Sequence, residues 1–108
     1  QHTVKPWFNG RLDYAPPVKD LVASGFALIG GRLDAIGART VGVMVYRSDR
    51  HVIDLFAWPA SSAPDTASGT RDGFHVVGWN ADGMTFRAIS DVEPAKLDAF
   101  VRAWRAMP

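Results

Sequence analysis

The 108 residues carry 12 Lys and Arg against 11 Asp and Glu, a formal net charge of +1, with 47% hydrophobic and 21% charged residues and no cysteine. A chain of this size holds one core, and basic residues scattered singly lack the concentrated footprint that binding to nucleic acid requires. The absence of cysteine excludes disulfides, thiolate metal sites and cysteine nucleophiles, and leaves the compartment open.

The chain opens on a segment, residues 4–18, in which Trp7, Phe8, Leu12 and Tyr14 present too much apolar area to leave in water. Lys5, Asn9, Arg11 and Asp13 interrupt it at every turn, so it is neither a signal sequence nor a membrane span, and it must dock on the fold. Residues 4–11 read as a short helix with Thr3 as N-cap and Pro6 in the first turn, and Pro16-Pro17 stops any continuation. Residues 18–23 suggest a further helical turn, with Leu21 and Val22 against the core and Gly25 as its stop.

Strand texture follows. Residues 26–36 read as one bent strand, with Gly30-Gly31 marking a bulge or a close backbone approach. Residues 40–47 and 51–58 are β-branched and aromatic and form a hairpin around Ser48-Asp49-Arg50; the first is apolar on both parities, as a strand covered on both faces is. Residues 59–73 are small and polar and read as a flexible loop. Residues 74–80 and 84–90 form a second hairpin with an Asp82-Gly83 turn. Leu97, Phe100, Val101 and Trp104 make one helical stripe, with Ser90 or Asp91 as cap and Pro94 in the first turn. The expected fold is a single α+β domain over residues 1–108. It is an antiparallel meander of about five strands with a short N-terminal helix and a C-terminal amphipathic helix.

Candidate chemistry is sparse. His2 sits at the terminus, whereas His51 and His75 begin two strands and could meet to bind zinc or copper, although strand histidines with local partners are the commoner case and no third ligand stands at diagnostic spacing. Ser61, Ser62 and Ser68 fall in the loop and Ser24-Gly25 lacks a nucleophile-elbow context, so no catalytic constellation is expected. The glycines form no phosphate-binding motif, and no cofactor is implied. Asp54, between Ile53 and Leu55, is expected to face solvent, the alternative being a pair with Arg32 or Arg87. Trp79 and Trp104 suit the core; Trp7, Phe8 and Trp58 are the candidates for coupling or contact.

One resemblance covers almost the whole chain. Residues 4–17 (Val-Lys-Pro-Trp-Phe-Asn-Gly-Arg-Leu-Asp-Tyr-Ala-Pro-Pro), then Asp20-Leu21, Gly25-Phe26, Gly30-Gly31-Arg32-Leu33, Val45-Tyr46, His51-Val52-Ile53 and Phe56-Ala57-Trp58-Pro59, are similar to the C-terminal extracytoplasmic domain of proteobacterial transmembrane anti-sigma factors. Residues 73–79 (Gly-Phe-His-Val-Val-Gly-Trp), Gly83-Met84, Ala88-Ile89-Ser90-Asp91, Leu97 and Phe100 continue the likeness. The resemblance implies a non-catalytic periplasmic sensory domain of a single-pass inner-membrane protein, with a membrane tether before the first residue. A cytoplasmic domain absent from this chain would hold an extracytoplasmic-function sigma factor, and an envelope protein or a protease would be the partner of the periplasmic part. A metal- or small-molecule-binding sensor using His51 and His75, or a stand-alone envelope scaffold, are the alternatives.

Overall fold

The computed structural model describes residues 4–60 and 68–108. The short helix α1 (Val4–Phe8) is followed by an irregular strap and a 3-10 turn at Val22–Ser24. Six strands come next: β1 (Ala27–Ile36), β2 (Arg39–Ser48), β3 (His51–Pro59), β4 (Ser68–Arg71), β5 (Phe74–Ala81) and β6 (Met84–Ser90). Helix α2 (Pro94–Ala106) closes the chain. The strands form one antiparallel sheet in the order β1-β2-β3-β6-β5-β4.

The sheet departs from the expected meander in two ways. It has six strands among the described residues, because Ser68–Arg71, expected within the flexible loop, pairs with β5 through a tight Asp72-Gly73 turn whose residues both have positive φ, 52° and 81°. The pairing of β3 with β6 makes two three-stranded meanders joined at the middle. Burial explains the order: β3 and β6 bring Leu55, Ala57 and Ala88, all fully buried, to the centre, while every residue of β4 is exposed and suits only an edge. The β2–β3 and β5–β6 hairpins and the Asp82-Gly83 turn stand where expected, and the strand at 26–36 carries its irregularity between Leu28 and Gly30.

Register and alternation divide the sheet into two faces. Leu28, Met44, Tyr46, Ile53, Leu55, Ala57, Trp79, Phe86 and Ala88 share one core with Leu97, Phe100, Val101 and Trp104 of α2. Rings meet edge to face across it, Phe26 and Tyr46 on Phe100 at 5.2 and 5.1 Å. The four-residue helical stripe is therefore buried as expected, and Pro94 occupies its first turn, but the cap is backbone Glu93 without a side-chain bond. Ser90 instead accepts from Val92 N–H and donates to Val52 carbonyl, and Asp91 turns to His51. Leu21 is buried and Gly25 ends its turn at φ 90°, whereas Val22 points outward at 57% exposure. Thr3 lies outside the described residues.

Candidate functional site

The strap, residues 4–20, is built against the packed face by side chains that need space and partners. Phe8 fits where two strands lack a Cβ: one added at Gly31 would stand 3.0 Å from its ring, and one at Gly42 would stand 3.3 Å away. Gly42 also leaves room for Leu12 and Pro16, whose carbons would lie 2.9 and 3.1 Å from such a Cβ. At Gly31 the close approach is thus made by side chains of α1 and not by backbone, and Gly42 on β2, opposite Leu33, opens the second gap.

Polar anchors fix the rest of the strap. The Tyr14 hydroxyl donates to Ala57 carbonyl (2.6 Å) and accepts from Gly42 N–H (2.8 Å), so it is wedged between β3 and β2 where their ladder ends. Tyr46 donates to Lys19 carbonyl at 2.6 Å. The Lys19 ammonium donates to the carbonyl of Trp104 (3.0 Å), which also accepts Met107 N–H, and to that of Met107 (2.7 Å), and lies over the Trp104 ring, so that it caps the C-terminus of α2. Burial raises the pKa of both tyrosines, most strongly Tyr46, and burial lowers that of Lys19. One continuous segment thereby joins β1, β2, β3 and the end of α2. Beside it, Val18, Lys19, Met84, Phe86, Trp104 and Met107 line part of a cleft of about 850 Å³.

The candidate contact residues separate by exposure. Phe8 is 1% exposed and is a packing residue of the strap, while its neighbour Trp7 stands 36% exposed, edge-on to Phe8 and beneath the Arg11 guanidinium. Trp58 lies half-buried on the opposite face of the sheet with Arg87 over its ring at 5.5 Å. That face holds no helix among the described residues. On it Arg32 pairs bidentately with Asp54 at 3.1 Å and lies over Phe56, so Asp54 takes an arginine partner and does not simply face solvent. Hydrogen bonding to Asp54 is the main reason the Arg32 pKa rises.

The histidines do not come together. His51 Nδ1 lies 3.0 Å from Asp91 and His75 Nδ1 lies 2.8 Å from Thr70, with β6 between their strands. Among the described residues no group of three or more His, Asp or Glu could hold a metal ion. His2, Ser61 and Ser62 lie outside the described residues. The Tyr14 wedge and the Lys19 cap were not foreseen; the Pro16-Pro17 pair, which forbids a helix and forces an extended path across the sheet, was the signal for the first. No protein-family model matches the chain, and no curated protein matches it.

Proposed function

We propose that the chain is the periplasmic sensory domain of a membrane-spanning anti-sigma factor, without catalytic activity of its own. The observation that carries this reading is the strap: a tether entering at residue 4 would be joined through Phe8, Tyr14 and Lys19 to the sheet and to the last turn of α2. Binding of an envelope partner or protease that favours one state of the strap would shift the accessibility of the tether, and only differential affinity for the two states does so. The order and coverage of the motifs resembling such domains support the same reading. In this reading the sigma-binding residues lie in a cytoplasmic domain outside this chain.

The reading frame that contains the chain tests it. The expected finding is an upstream apolar span of about 20 residues preceded by a cytoplasmic domain whose deletion raises transcription from the cognate sigma factor's promoters. A frame that starts immediately before Gln1, or a deletion with no transcriptional effect, overturns the proposal.

A further inference from the structure

Strand β1 is the long edge of the sheet: ten residues, with no strand on its outer side among the described residues. Because Gly42 N–H is directed at Tyr14 on the β3 side, its β1 partner Leu33 sits in a non-hydrogen-bonded pair. The N–H and C=O of Leu33, and by alternation those of Gly31 and Ala35, therefore project from the free edge. Asp34 Oδ1 already accepts the outward Ala35 N–H at 2.8 Å, as a side chain does where no strand is present.

We propose that β1 is a self-pairing edge and that its occupant is β1 of a second copy of this chain, antiparallel and centred on Leu33. The argument is symmetry of charge and register. The regular part of the β1–β2 ladder runs from Gly30 to Ile36, ended on one side by the bulge at Ile29, and Leu33 is its midpoint. A two-fold axis at Leu33 sets Leu33, exposed at 37%, against itself in a hydrogen-bonded pair, and Gly31 against Ala35 of the second copy. It also sets Arg32 opposite Asp34, twice, at the closely spaced non-hydrogen-bonded positions where cross-strand ion pairs are strongest. Within one chain these two charges stand 3.7 Å apart and are both close to half exposed, with the Arg32 fork committed to Asp54. Pairing passes the outward Ala35 N–H to a carbonyl of the second strand and frees Asp34 for the facing arginine. A shift by one residue would put Arg32 against a neutral neighbour and lose both ion pairs, so the charges select the register.

Sedimentation equilibrium of the chain, with cross-linking by oxidation, tests this, and the absence of native cysteine makes the cross-link specific. The expected results are a concentration-dependent dimer, a disulfide-linked dimer of Leu33→Cys, no such product from Ile36→Cys, and a monomer for Asp34→Arg, which sets like charges opposite each other. An equimolar mixture of Asp34→Arg and Arg32→Asp should dimerise again, since each then faces its opposite; circular dichroism establishes that each variant is folded. A chain monomeric up to about 1 mM, equal cross-linking at positions 33 and 36, or a dimer indifferent to Asp34→Arg overturns the proposal.

Discussion

The two faces of the sheet are held by different physics. The packed face relies on area and shape: Tyr46, Phe100 and Trp104 interlock beneath the strap, and glycines at 31 and 42 let Phe8 reach the sheet. The other face carries Val41 and Val43 fully buried, yet around them Arg32, Asp54, Phe56, Arg87 and Trp58 meet through ion pairing and ring stacking. Shape complementarity tolerates little change, whereas exposed charge pairs are weak and replaceable. Stability should therefore reside in the packed face and in the buried Val41 and Val43, with the charge pairs around them free to vary.

Adjacent residues sharpen this comparison most. Phe8→Ala should lower unfolding free energy by about 3–5 kcal/mol in urea denaturation, and Trp7→Ala, one position away but exposed, by no more than about 1 kcal/mol. A Tyr14→Phe change leaves Ala57 carbonyl and Gly42 N–H without their partner and should cost about 1–3 kcal/mol. Gly42→Ala, which adds a methyl where Leu12 and Pro16 already press, should cost about 1–2 kcal/mol, because the strap side chains can yield by a few tenths of an ångström. On the other face, Asp54→Asn should cost less than about 1 kcal/mol, with both partners partly exposed to solvent.

Titration probes the strap and the packed face. Burial holds Tyr14 and Tyr46 above their ordinary range, so between their unfolded and folded values the folded chain keeps protons that the unfolded chain releases. Their contribution is complete below about pH 10 and is lost as the pH rises beyond it. Lys19, lowered by burial, has the opposite sign and adds stability as the pH climbs toward its unfolded value. Alkaline unfolding monitored by tyrosine absorbance should therefore begin above about pH 10 and become shallower in Tyr46→Phe.

Much of this arrangement was legible in the residues. The stripe from Leu97 to Trp104, the two hairpins, and the close approach near Gly31 all follow from periodicity, turn chemistry and missing side chains. Strand β4 was not, since Ser-Gly-Thr-Arg has no apolar pattern; the Asp72-Gly73 pair was its only local mark, of the same kind as Asp82-Gly83. The β3–β6 pairing escaped because it joins strands far apart in the chain, where local signals carry nothing. The same is true of the Lys19 cap on α2, whereas the Arg32–Asp54 pair stood among the alternatives for Asp54 and only the assembled sheet decides it over solvent.

Hydrogen exchange of the chain and its Phe8→Ala variant tests most directly whether the strap couples its entry point to the far end of α2. Loosening the strap at Phe8 should raise exchange at Gly42 N–H, which Tyr14 occupies, and also at Met107 N–H just past α2, beside the carbonyls that Lys19 caps. Faster exchange at both, in conditions where β5 and β6 remain protected, is the predicted result; a change confined to α1 and β1, with Met107 untouched, would contradict the account.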